Sequence, residues 1–129
     1  MTKAVVRTDG APAPVSGAPY SQGIVANGLV FVSGQVPIDP ATGKLVEGGI
    51  TEHTNRCFDN VDAILAEAGS GLDKLVKTTV FLDNISDFAA MNAVYAERVP
   101  EPFPARSAIE ISKIPLPGAL VEIEVVALA

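Results

Sequence analysis

The dipeptide Asn27-Gly28 sits between two apolar runs, in "GIVANGLVFVSGQ" (23–35), and constrains the fold more than any other feature of the chain. A type I′ turn needs positive φ at both central residues, which Asn and Gly tolerate best, so the segment predicts two antiparallel strands tightly joined. Upstream, "TDGAPAPVSGAP" (8–19) is rich in Pro, Gly and Ala and predicts an irregular arm after a short strand at Ala4–Val6. Downstream, "DPATGK" (39–44) predicts another turn.

The apolar period then changes. Cys57, Phe58, Val61, Ile64, Leu65 and Ala68 recur at three- and four-residue steps, which predicts an amphipathic helix over Thr51–Ala68, capped by Thr51 and closed by Gly69. "LVKTTVFL" (75–82) predicts a strand, and Ser86 the N-cap of a second helix reaching about Val99, before Pro100. Two further strands follow at Ala105–Ile111 and Leu120–Leu128, joined by "SKIPLPG" (112–118). The order β, ββ, α, β, α, β, β predicts a single α+β domain over residues 1–129, with a six-stranded mixed sheet and both helices on one face. The other face then needs cover. A second copy of the chain would supply it, in keeping with 48% hydrophobic residues, 19% charged residues and a mean hydropathy of +0.34.

Nine Lys and Arg against fifteen Asp and Glu give a net charge of −6. An acidic chain repels phosphate backbones, and no run of basic residues offsets this, so the charge balance disfavours nucleic acid as a partner. The single cysteine, Cys57, excludes an intrachain disulfide and a Cys-based metal site, and its place on the apolar stripe marks it as a small core residue. The opening "MTKAVVRTDGAPAPV" lacks an apolar signal segment, and no run of about 18 apolar residues would span a membrane. A cytoplasmic location is the default expectation.

Arg106 shares strand parity with Ala108 and Glu110, opposite Ala105, Ser107, Ile109 and Ile111. The common reading of such a face is the wet side of a strand; the functional one is a guanidinium fork for a carboxylate. Glu122 and Glu124 share a face of the last strand, as a solvated pair or as a general acid or base made so by partial burial. Spacing does not choose between them. Asn92 falls within the apolar stripe Phe88, Met91, Tyr95, Val99, so its amide needs a partner, either a backbone group or a polar pocket. Tyr20 and Ser33 lie where loops present side chains. Tyr95 reads as core with its hydroxyl at the surface, and His53, the only histidine, as an exposed residue in the first turn of a helix.

Together these stretches resemble one family over essentially the full length: "GAPYSQG" (17–23), "VFVSGQVPIDPATGKL" (30–45), "VKTTVFLDNISDFAAMNAVYAE" (76–97) and, most specifically, "FPARSAIEISKIPLPGALVEIEVVA" (103–127). The chain is similar to the Rid (reactive intermediate deaminase) or YjgF family. The resemblance implies a chorismate-mutase-like domain, a homotrimer with active sites between subunits, and hydrolysis of small imine and enamine carboxylates such as 2-aminoacrylate and 2-iminopropanoate to 2-keto acids and ammonia. It implies no cofactor and no metal. Carried onto this sequence, Arg106 holds the substrate carboxylate, Glu122 activates water or moves protons, and Tyr20, Ser33 and Asn92 line the pocket. Ala108 stands where many members have Cys, which keeps a role for its backbone and removes any role for a thiol. The alternatives are a carboxylate-binding or regulatory trimer without turnover, and the endoribonuclease activity that gives some relatives their name.

Overall fold

Asn27 and Gly28 both have positive φ, 51° and 78°, and so form the turn their chemistry demands. The computed structural model describes residues 2–129. In chain order the strands and helices are β1 (Ala4–Val6), β2 (Gly23–Ala26), β3 (Leu29–Gln35), β4 (Ile38–Asp39), β5 (Lys44–Leu45), α1 (Ile50–Glu67), β6 (Leu75–Leu82), α2 (Phe88–Arg98), β7 (Ala105–Glu110) and β8 (Val121–Leu128). Six strands form one mixed sheet in the order β1-β2-β3-β8-β6-β7. Among the described residues, only β6 and β7, which flank α2, pair in parallel, as a helical crossover requires. The segment 39–44 does more than turn: β4 and β5 close a small ribbon of their own, with Ile38 opposite Leu45 and Asp39 opposite Lys44.

Both helices lie on one face of the sheet. Val30, Val32, Val80, Leu82, Val121, Ile123, Val125 and Ala127 meet Cys57, Phe58, Val61, Ile64, Leu65, Met91 and Tyr95 in one buried cluster. A fully buried side chain of this size contributes about 1.5–3 kcal/mol, so this layer dominates stability. Phe58 and Tyr95 pack edge to face across the two helices at 5.6 Å, and Arg98 ties α2 to Asp59 of α1 at 2.7 Å. Asn60, fully buried, donates to the carbonyls of Val36 and Ile38 and accepts from Arg56 Nε, fastening the stretch after β3 to α1. Cys57 is buried as expected, and burial pushes its thiol well above its ordinary value, which removes it as a nucleophile.

Four local expectations are corrected. Gly49, not Thr51, caps α1, with the Glu52 carboxylate accepting from the Gly49 N–H at 2.7 Å. Asn84 takes the place assigned to Ser86: its side chain accepts from the Ser86 N–H at 2.9 Å, starting a 3-10 turn that leads into α2. The Tyr95 hydroxyl stays inside, bonded to Thr78 Oγ1 at 2.7 Å. His53 is only 2% exposed. Its Nδ1 accepts from the Leu120 N–H and its Nε2 donates to the Val46 carbonyl, so it clamps the loop before β8 to the loop before α1.

Among the described residues, no helix covers the other face. Phe31, Ile109 and Leu128 lie on it at 43%, 46% and 52% exposure.

Candidate active site

Arg106 is the first point where the structure departs from the sequence in a way that matters. It sits opposite Thr78, whose side chain is fully buried beneath the helices, so Arg106 faces the helix layer and not the wet side of its strand. Its Nη1 donates to Asn92 Oδ1 at 2.7 Å. The guanidinium stacks 4.7 Å from the centroid of Tyr95 and 5.5 Å from that of Phe88. Two rings and an amide thus fix its plane, while a guanidinium has five N–H donors to offer. The group opens on a cavity of about 400 Å³ lined by Asn92, Tyr95, Ala96, Phe103, Pro104 and Arg106. Asn92 is half-buried in the α2 stripe, and its partner is this side chain. Ala108, two residues on, packs its methyl against the core. Because β7 is an edge strand, backbone groups remain unpaired along its outer side.

A second group of predicted residues lies on the open face. Tyr20, Ser33 and Glu122 line a cavity of about 570 Å³ with Glu124, Pro115 and Leu116 among its other walls. Ser33 Oγ donates to the Ser21 carbonyl at 2.6 Å, which leaves its oxygen as an acceptor. Tyr20 does the converse: its oxygen accepts from the Val15 N–H at 3.2 Å, leaving the hydroxyl hydrogen free to donate. Glu122 is half-buried whereas Glu124 is exposed, so burial makes the choice that spacing left open. Burial, and then the charge of Glu124, push the Glu122 carboxyl above its usual range.

That shift carries a stability consequence. Between the ordinary value of 4.5 and its raised value, Glu122 binds a proton more firmly in the folded than in the unfolded chain. The stabilisation is fully present below pH 4.5 and is lost as pH rises through the folded value. Glu122→Gln, which cannot ionise, is therefore expected to melt above the parent at neutral pH and level with it below pH 4.5, in thermal melts across pH.

The arm that brings in Tyr20 is held by a residue that sequence reasoning missed. Gln22, 2% exposed, donates from Nε2 to the carbonyls of Thr8, Ala11 and Pro12, and its Oε1 accepts from the Thr8 N–H. A polar residue beside a Pro-rich arm was the only available signal. Phe103 and Tyr95 were likewise missed as walls of the Arg106 cavity.

The two groups do not meet within one chain. Glu122 and Ile109 both pair with Phe81, so Arg106 lies two strands across and three residues along from Glu122, about 14 Å between Cα positions. Their side chains leave opposite faces of the sheet. No single small ligand touches both.

The profile of the family described as Endoribonuclease L-PSP matches residues 10–129. The chain belongs to this Rid/L-PSP family. A RutC family protein of Pyrococcus abyssi is 48% identical to it over 127 residues, 98% of each chain. A RutC family protein of Drosophila melanogaster is 44% identical, covering 99% of this chain and 91% of its own. Among solved structures, a conserved Rid family protein from Yersinia pestis superposes with a TM-score of 0.93 at 46% identity, over 99% of this chain and 100% of that one. RidA from the Antarctic bacterium Psychrobacter superposes with a TM-score of 0.91 at 38% identity, over 98% and 99%. The mixed sheet with two helices on one face is therefore the Rid fold.

Proposed function

We propose that this Rid protein is an enzyme that hydrolyses 2-imino and 2-enamino acids of the 2-aminoacrylate and 2-iminopropanoate type, in a homotrimer whose sites lie between subunits. Family membership supports imine deamination at the level of the family. The observation that carries the finer reading is Arg106: a guanidinium with a fixed plane, open to a cavity, matches a small carboxylate. In this reading one copy supplies Arg106, Asn92 and the β7 backbone at Ala108. Its neighbour supplies Tyr20, Ser33 and Glu122, and the apolar open face is where copies meet.

The chemistry asks little more of the protein. An enamine first takes a proton from solvent at its terminal carbon to become the iminium, the protonated imine. The imine nitrogen, protonated, donates to Ser33, whose oxygen is left as an acceptor. Glu122, as the carboxylate, takes a proton from water as its oxygen adds to the iminium carbon and passes it to the nitrogen. The C–N bond then breaks as the carboxylate takes the proton of the new hydroxyl, leaving a 2-keto acid and ammonia, which carries that proton away as ammonium. A carboxyl raised towards neutrality suits these transfers. Fixing the reactants can lower the barrier by on the order of 7–11 kcal/mol in well-oriented cases.

The test is to generate 2-aminoacrylate from serine with a dehydratase and follow keto-acid release. Faster release with the protein supports the reading; an unchanged rate removes it. Ala108 favours one second reading, a carboxylate-binding trimer without turnover, should a thiol at that position be needed. Unchanged release together with saturable binding of a 2-keto acid would select it. The family's description also names an endoribonuclease, but a net charge of −6 leaves little to hold a phosphate backbone.

A further inference from the structure

We infer that Gly34 is a positioning residue for Glu122: having no side chain, it lets the carboxylate rest against the backbone of β3 at the floor of the open-face cavity. The catalytic meaning of this inference rests on the function proposed above; its geometry does not.

The register between β3 and β8 shifts between Val32, opposite Val125, and Gln35, opposite Ile123, so Ser33 and Gly34 together span the place of one residue. This bulge turns both towards the cavity that Glu122 lines. A β-carbon on Gly34 would overlap Oε2 of Glu122 and lie 3.0 Å from its Cδ and 3.3 Å from its Cγ. The φ of Gly34 lies outside the left-handed region, so the backbone does not itself demand glycine. What a β-carbon here would meet is the carboxylate, which would have to move aside.

Any β-carbon would force the carboxylate off its seat by more than about 1 Å. Glu124 lines the same cavity, and its charge acts on the carboxylate. Other titratable groups around it are Tyr20 from the arm and the Cys57 thiol of α1 behind the strand. In the assembled site, Arg106 of the neighbouring copy joins them. Moving the carboxylate into water removes the burial that raises its pKa, and misplaces it for proton transfer. Substrate anchoring at Arg106 is untouched.

Three measurements test this. In carbon-detected titrations of side-chain-labelled glutamates, the Glu122 midpoint falls towards the ordinary carboxylate value in Gly34→Ala. In kinetics, kcat falls about a hundred-fold with KM little changed, as an ångström-scale misplacement predicts, and the acid limb of the pH profile moves to lower pH. In a Glu122→Ala background, Gly34→Ala adds no further loss. An unmoved Glu122 midpoint, or an equal loss in that background, overturns the inference. If Gly34→Ala fails to fold, Gly34→Ala/Glu122→Ala is expected to fold, because the obstructing carboxylate is gone; failure of the double variant also overturns it. Should the parent protein turn over no imine, the proposed function falls, and the titration alone still decides the role of Gly34.

Discussion

Arg106→Ala is expected to lower kcat/KM for 2-iminopropanoate by roughly two to three powers of ten, most of it through a higher KM. Truncating one partner of a buried, hydrogen-bonded charge pair costs about 2–5 kcal/mol, and each 1.4 kcal/mol is about tenfold. Arg106→Lys separates charge from shape. A lysine keeps the positive charge but loses the planar fork that stacks on Tyr95 and Phe88 while donating to Asn92, so it should recover only a small part of the loss. Steady-state kinetics over a series of 2-imino acids, set against a thermal melt of each variant, provides the check. An Arg106→Ala enzyme with unchanged KM would place the carboxylate elsewhere.

The larger effect comes from mixing two defective proteins. Arg106→Ala damages the site on the helix side of β7, and Glu122→Ala damages the one on the open face. If each active site draws one group from each of two copies, every copy of either variant retains one intact half. Unfolding and refolding them together in equal amounts should restore about a quarter of the parent activity, the fraction of random neighbours that pair two intact halves in a ring. Either protein alone stays near background. If all the residues of a site came from one chain, mixing would restore nothing. The opposite-face placement of Arg106 and Glu122 in a single chain makes restoration the expected outcome.

Much of the fold was legible because its signals are local. Asn27-Gly28 specified its turn through its own φ requirements, and the period over Cys57–Leu65 specified a helix. The strand at Leu75–Leu82 has the bounds its β-branched run suggests. The side chains at the candidate site were less legible, for a physical reason. Strand parity states which residues share a face, not which layer that face meets. In β7, Ile109 looks like the core side and Arg106 like the wet side, yet Ile109 lies on the uncovered face and Arg106 beneath α2. An apolar uncovered face inverts the usual inference. His53 escaped for another reason: its partners, Val46 and Leu120, lie 7 and 67 residues away in sequence. Between Glu122 and Glu124, only the depth of the cavity floor makes the distinction, and depth has no sequence signature.

The grip of Gln22 on the arm engages main-chain atoms only, at Thr8, Ala11 and Pro12. Such a lock is blind to spelling and strict about length. Exchanging Pro12 for another residue leaves its carbonyl available, whereas one residue inserted between Thr8 and Ala11 puts the carbonyls out of step with a single amide. The arm can therefore drift in sequence among relatives while Tyr20 keeps its place, so that comparing letters across residues 8–14 would understate how closely their shape is held.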